Sequence, residues 1–245
     1  MTLAVAILLL QAAMAATPPH AGMPFAVGER LEYQGRHTIF RPGTAVLSVD
    51  AIESWQGVPH WKFSFTSSVS FLGFKSRTEL VSWTGVDDFM SRRFTKTMEE
   101  NGRRKFEDFR IHPDSGFFRR GDDTVTKRTA ERPLDDVAFF YWIRTIPLQV
   151  GETYRFANYY RDERNPVTVR VIKRETMEMP DGAKVPCLVL HPIVDEPNGM
   201  FSARSDARLW LTDDSRRIPV QIQSTYNFGT VKLVLQKVTP GNAAL

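Results

Sequence analysis

The sequence predicts a mainly β protein: two similar antiparallel β meanders forming a curled sheet or open barrel around one buried helix. Three observations carry this. Apolar and polar residues alternate through most of the chain, as strands with one buried and one wet face require. Glycine-containing turn signals interrupt the alternation at short intervals, so successive strands must be antiparallel neighbours. A single stretch, 134–146, abandons the alternation altogether.

The elements follow in chain order. Leu3 to Leu10 is an unbroken apolar run followed by Ala12-Ala13-Met14-Ala15-Ala16, a small-residue pattern typical of a secretory cleavage site. Residues 1–16 are therefore expected to be a signal peptide, although no Lys or Arg precedes the run, which points to a start site placed slightly late. A buried helix or short membrane anchor is the competing reading, and the run falls short of the roughly 20 apolar residues of a membrane span. No cysteine follows it to carry a lipid anchor. Residues 17–24, with Pro18, Pro19, Gly22 and Pro24, are an irregular lead-in.

A single β-rich domain is expected over 25–238. Strands are predicted near 30–36, 45–54, 61–71, 77–84, 89–98 and 104–112, with Gln56-Gly57 and Asn101-Gly102 as turns. The third is clearest: Trp61, Phe63, Phe65, Ser67, Val69 and Phe71 share one face, with Lys62, Ser64, Thr66, Ser68 and Ser70 between them. Between Pro133 and Pro147 a helix is predicted near 135–146, capped by Asp135 or Asp136. It is apolar nearly all round, so it should lie buried against the concave face of the sheet; a buried central strand is the alternative. Further strands are predicted near 153–160, 167–176, 184–191, 207–212, 220–226 and 231–238, with Asp181-Gly182 and Asn227-Phe228-Gly229 as turns. Residues 239–245 are a tail.

The chain repeats itself. Val27-Gly28-Glu29-Arg30-Leu31-Glu32-Tyr33 returns 123 residues later as Val150-Gly151-Glu152-Thr153-Tyr154-Arg155-Phe156. Leu80-Val81-Ser82-Trp83-Thr84, with Asp87-Asp88 and Ser91-Arg92-Arg93 beyond it, is echoed by Leu209-Trp210-Leu211-Thr212, Asp213-Asp214 and Ser215-Arg216-Arg217. Two matches at nearly one spacing imply two halves, 25–112 and 148–238, bridged by the helix.

These motifs, together with Tyr141 and Arg144 leading into Pro147-Leu148-Gln149-Val150-Gly151-Glu152 and the closing Ile218-Pro219-Val220, resemble the DUF3108 family of bacterial envelope proteins. The resemblance covers nearly all of the chain beyond the leader. It implies an exported, β-rich protein of Gram-negative-type bacteria, and it brings no established activity and no catalytic residues.

Composition narrows the function. The 245 residues are 42% hydrophobic, 11% aromatic and 24% charged, as in a globular protein with a substantial core. The net charge of +4 is spread among interleaved acids and bases, as in Arg161-Asp162-Glu163-Arg164. Nucleic-acid binding needs a concentrated basic face and is not expected. The one cysteine, Cys187, forms no internal disulfide and sits in an alternating strand as a small hydrophobe. His20, His37, His60, His112 and His191 are scattered, without metal-ligand spacing, and no nucleophile elbow or phosphate loop is present. Asp87-Asp88 and Asp213-Asp214 read as turn residues in preference to catalytic pairs. No catalytic residue, metal or cofactor is expected.

What remains is binding. The aromatic surface of Trp61, Phe63, Phe65, Phe139, Tyr141 and Trp142, with Arg144, could line an apolar cleft. The same aromatics could simply fill a core. Arg144 on an apolar helix requires a carboxylate or carbonyl partner, expected at the seam between the halves. The sequence thus favours a periplasmic, non-enzymatic binding or carrier protein for an apolar or lipid-linked ligand, not an integral membrane protein once the leader is removed. A structural module meeting an envelope protein partner is the alternative, and an envelope hydrolase is least supported.

Overall fold

Alternation translates directly into a single continuous sheet. In a computed structural model, residues 22–37, 40–71, 73–195, 200–226 and 229–242 are described. The predicted leader, most of the lead-in and the end of the tail lie outside them. The strands are β1 (Arg30–His37), β2 (Phe40–Trp55), β3 (Val58–Phe71), β4 (Phe74–Gly85), β5 (Ser91–Glu100), β6 (Arg103–His112), β7 (Phe117–Arg120), β8 (Lys127–Arg128), β9 (Thr153–Phe156), β10 (Val167–Glu178), β11 (Lys184–Ile193), β12 (Arg208–Thr212), β13 (Pro219–Tyr226) and β14 (Gly229–Thr239). Helix α1 (Asp136–Trp142) lies between β8 and β9.

The strand order is β8-β7-β6-β5-β4-β3-β2-β1-β14-β13-β12-β11-β10-β9. Every named pair is antiparallel, and the two meanders join where β1 meets β14, with Leu31 opposite Val238 and Gly35 opposite Leu233. The edge strands β8 and β9 do not pair with each other, so the sheet is curled and open. The segments just beyond them do meet. Leu134 N donates to the Asn158 carbonyl at 2.6 Å, Tyr160 N donates to the Leu134 carbonyl at 3.0 Å, and Thr129 Oγ1 donates to the Tyr160 carbonyl at 2.7 Å.

The short strands β7 and β8 were not legible in the sequence. Phe117-Phe118-Arg119-Arg120 carries no alternation, and only its pairing with β6, Ile111 opposite Phe118, makes it a strand. The strand expected over 153–160 stops at Phe156, because 158–160 turn away to bond Leu134.

Helix α1 begins at Asp135, whose Oδ1 accepts from the amides of Val137 and Ala138 at 2.9 Å each. Seven residues are too few for a helix to stand alone in water. Burial of Val137, Ala138, Phe139, Phe140 and Tyr141 holds it in place, each large side chain contributing about 1.5–3 kcal/mol. A 3₁₀ turn, Ile143–Thr145, ends it, and Ile146 is extended, as a residue before proline prefers.

Matching hydrogen bonds open the two meanders. Gly28 N donates to the Val49 carbonyl at 2.8 Å and Val49 N to the Glu29 carbonyl at 2.9 Å; Gly151 N donates to the Val171 carbonyl at 2.8 Å and Val171 N to the Glu152 carbonyl at 2.9 Å. Both glycines hold a left-handed φ, 88° and 92°, which a residue with a Cβ rarely adopts.

Candidate functional site

The inward faces of β3 to β6 change character along their length. At one end Phe63, Ser82, Phe94 and Phe109 stand opposite one another across the four strands and are buried. Two residues along, the row is Phe65, Leu80, Lys96 and Glu107; two further, it is Ser67, Thr78, Met98 and Lys105. Packed core therefore gives way to shorter or charged side chains on the same concave face. The space they leave is a cavity of about 580 Å³, within the size range of small-ligand sites.

Helix α1 supplies another wall through Val137, Phe139 and Phe140, and Val194, Met200 and Phe201 supply more apolar surface. Phe140 stacks on Phe65, with ring centres 6.5 Å apart, and packs against Phe201 at 5.4 Å. Charges gather at Lys96, Lys105, Glu107, Asp136 and Arg161. Lys96 Nζ lies 3.6 Å from Asp136, whose other oxygen accepts from the Tyr159 hydroxyl at 2.8 Å. Glu107 is held by Lys105 at 3.2 Å and Arg120 at 3.0 Å. Asn158 Oδ1, also at the cavity, is buried with no hydrogen-bond partner among the described residues.

Of the side chains singled out in the sequence, Phe65 and Phe139 line this cavity. Trp61, Phe63 and Tyr141 lie in a solid aromatic cluster with Phe25. Phe63 stacks on Tyr141 at 4.0 Å, and Phe25 meets Trp61, Phe63 and Tyr141 edge-on at 5.4, 5.5 and 5.0 Å. Trp142 is half-buried and packs edge-on against Phe156 at 4.6 Å. Arg144 is buried away from the cavity. Its guanidinium donates twice to Glu29, at 2.6 and 2.9 Å, and reaches the carbonyls of Pro24 at 2.8 Å and Arg216 at 3.0 Å. Glu29 opens the first meander and Arg216 belongs to the second, so this contact ties the two together.

The aspartate pairs hold turns. Asp88 Oδ1 accepts from Met90 N at 3.0 Å and its Oδ2 from Arg92 at 2.6 Å; Asp214 Oδ1 accepts from the amides of Arg216 and Arg217 at 3.0 Å each. Burial raises the Asp214 carboxyl, but the Thr212 hydroxyl and those two amides outweigh it and hold the group below its usual range. Burial, then the carboxylates of Asp214, Asp213 and Glu175, push the Cys187 thiol up to about 12. It remains a neutral, buried thiol at physiological pH. Among the described residues, no three His, Cys, Asp or Glu side chains are disposed to hold a metal ion, and no helix is long and apolar enough to cross a membrane.

Asp135 is the most perturbed acid beside the cavity. Burial raises its pKa to about 6, against the opposing hydrogen bonds from Ala138 N and the hydroxyls of Ser82 and Ser91. The folded value lies above the unfolded one, so the fold favours the protonated form. That stabilisation is complete below about pH 4 and is lost as pH rises through about 6. A displacement of this size corresponds to about 3 kcal/mol. Asp135→Asn keeps an oxygen for the helix cap and cannot ionise. Its stability relative to the unsubstituted protein should therefore rise by up to about 3 kcal/mol between pH 4 and pH 7 in urea unfolding; parallel pH profiles would contradict this.

An open, barrel-like antiparallel sheet wrapped on one buried helix, with a partly apolar cavity at one end, defines a β-barrel-like protein with an internal pocket. Within that class, the chain belongs to the family described as protein of unknown function (DUF3108), whose profile matches residues 30–236. Its fold is similar to the crystal structure of a beta-barrel-like protein of domain of unknown function DUF1849 from Brucella abortus. The two share 11% identity and a TM-score of 0.56, over 89% of this chain and 99% of that one. A candidate lipoprotein from Parabacteroides distasonis aligns over 89% and 99% of the two chains at 10% identity, with a TM-score of 0.30. No curated protein matches the chain.

The sequence does not mark Leu80, Lys96, Met98, Lys105, Glu107, Met200 or Phe201 as cavity residues, Leu80 standing out only as part of the repeat. A signal for three of them exists: Lys96, Lys105 and Glu107 keep the phase of the inward Phe94 and Phe109. A charge in the inward phase marks a place where the core is not filled.

Proposed function

We propose that this protein is an exported, non-enzymatic binding or carrier protein of the cell envelope, holding an apolar or lipid-linked ligand in the cavity between α1 and strands β3–β6. The observation that carries this is the 580 Å³ cavity itself. Its deep walls, Phe65, Leu80, Phe139, Phe140 and Phe201, suit a hydrocarbon chain, and Lys96, Lys105 and Arg161 suit a polar or anionic head. Apolar clefts with a few polar groups are the usual form of such sites. Export rests on the apolar run and small-residue junction of residues 1–16. We read the 123-residue repeat and the matching hydrogen bonds at Gly28 and Gly151 as an internal duplication whose two halves both contribute walls to the cavity.

Native mass spectrometry of protein purified from an envelope fraction should show a stoichiometric co-purifying lipid; repeated recovery of clean apo protein would count against the reading. Direct titration gives a second check. The fluorescent apolar probe N-phenylnaphthylamine should bind saturably, and Ser67→Trp, which fills the cavity from β3, should weaken it by about tenfold or more. An unchanged probe affinity in a folded Ser67→Trp protein places the probe elsewhere.

A further inference from the structure

The opposite face of the same sheet carries a second concavity, of about 390 Å³, where the β2–β3 turn, the start of β5 and the β6–β7 turn converge. Its walls include Trp55, Arg92, Arg110, His112, Asp114 and Arg119. Strand register creates it. Phe109, Ile111 and Phe118 point into the core, so Arg110 and Arg119, directly opposite each other, point outward. Arg93 stands opposite Arg110 on the next strand. A bulge in the β4–β5 pairing sets Trp83 opposite Arg93 and Thr84 opposite Ser91, leaving Arg92 as the extra residue. Such bulges redirect side chains, and here Arg92 joins the arginines on the outer face.

These cations are not equally occupied. Arg93 is fully engaged, with two hydrogen bonds to Asp108 at 2.9 and 3.1 Å and its guanidinium over Trp55 and Trp83. Arg92 is held by Asp88 at 2.6 Å. Arg110 reaches Asp122, a carboxylate 88% exposed, at 3.0 Å, and its Nε lies 3.9 Å from Asp108, the carboxylate that Arg93 holds. The Arg119 side chain makes no hydrogen bond or ion pair among the described residues. Nε of Arg110, Nε of Arg119 and Nε2 of His112 are all buried without a hydrogen-bond partner among those residues. Asp114 is the one carboxylate among the lining residues. After burial, the nearness of Arg119 and then Arg110 lowers the His112 pKa, so these charges converge on one spot. The Nε–H groups of Arg110 and Arg119 thus lack an acceptor, and a buried donor without an acceptor is unfavourable.

We propose that this outer concavity is an oxyanion site that takes a phosphate group, with Arg119 and Arg110 as its principal ligands and Trp55 as one wall. A guanidinium presents paired N–H groups that match the oxygens of phosphate, and the indole provides a flat surface for whatever carries it. The Ser91-Arg92-Arg93 motif borders the site through Arg92, which Asp88 holds much as Asp213 holds Arg217 at 3.3 Å in Ser215-Arg216-Arg217. The site stands on the other side of the sheet from the cavity, so it does not depend on the carrier reading.

Isothermal titration calorimetry of the full chain at low ionic strength tests it with three probes: inorganic phosphate, glucose 1-phosphate and short-chain phosphatidic acid. At least one should bind saturably at one site. Equal affinity for all three assigns free phosphate; tighter binding of one ester assigns a sugar or a lipid as the source. Arg119→Gln should weaken the best probe by about tenfold, and Arg119→Lys, which keeps the charge and loses the fork, by less. Asp114→Asn should tighten it by about threefold, a gain that misfolding cannot imitate. Arg170→Gln, on β10, should leave it unchanged. Absence of saturable binding by all three probes, or equal binding by the Arg119→Gln protein, overturns the proposal.

Discussion

Arg144→Met is expected to lower the unfolding free energy by about 3–5 kcal/mol, because it strands a buried carboxylate without its counter-charge. Glu29 is only 6% exposed, and both of its oxygens lie on the Arg144 guanidinium. The carbonyls of Pro24 and Arg216 lose their donor in the same substitution. For a chain of this size each kcal/mol moves the melting temperature by about 2–4 °C, so the loss is readable by calorimetry. The pair itself need not be strongly stabilising, since removing two charges from water offsets much of their attraction. Arg144→Met with Glu29→Gln should accordingly recover most of the loss. An unchanged melting temperature in the single variant would show that the contact does not join the two meanders energetically.

How much of this was legible in the sequence depends on which physical signal each feature leaves. The long strands were legible because a strand with one wet face must alternate, as Trp61, Phe63 and Phe65 do. The helix was legible because Asp135 can cap it and Pro147 must end it. The partner of Arg144 could be narrowed to a carboxylate or carbonyl at the seam, since an unpaired buried guanidinium is prohibitive. The division of the aromatics between packed core and cavity was not legible. Phe63 and Phe65 share a strand, a face and a residue type; what separates them is the opposing row, Ser82 and Phe94 for one, Leu80 and Lys96 for the other. Register between distant strands decides that, and no local pattern encodes it. Nor could alternation reveal that a bulge places Arg92 beside Arg110 and Arg119, because the bulge breaks the very phase from which facing is read.

The same contrast gives the second large expected effect. Phe63→Ala should cost about 3–5 kcal/mol, whereas Phe65→Ala should cost distinctly less while altering the cavity. Phe63 is fully buried and enclosed by rings: Tyr141 at 4.0 Å, Phe25 at 5.5 Å, Trp61 at 5.9 Å and Phe89 at 6.0 Å. Its removal opens a void among side chains that cannot collapse without breaking those contacts. Phe65 has the cavity on one side and Phe140 on the other, so part of its surface already lacks packing partners and truncation forfeits fewer of them. Urea unfolding should thus rank Phe63→Ala well below Phe65→Ala. N-phenylnaphthylamine titration, at a denaturant-free temperature where both remain folded, should show the reverse order: affinity changed by Phe65→Ala and nearly untouched by Phe63→Ala. Equal stability losses would mean that the cavity wall is as tightly packed as the core. A probe affinity sensitive only to Phe63 would move the binding site into the aromatic cluster around Tyr141, away from the space bounded by Lys96 and Lys105.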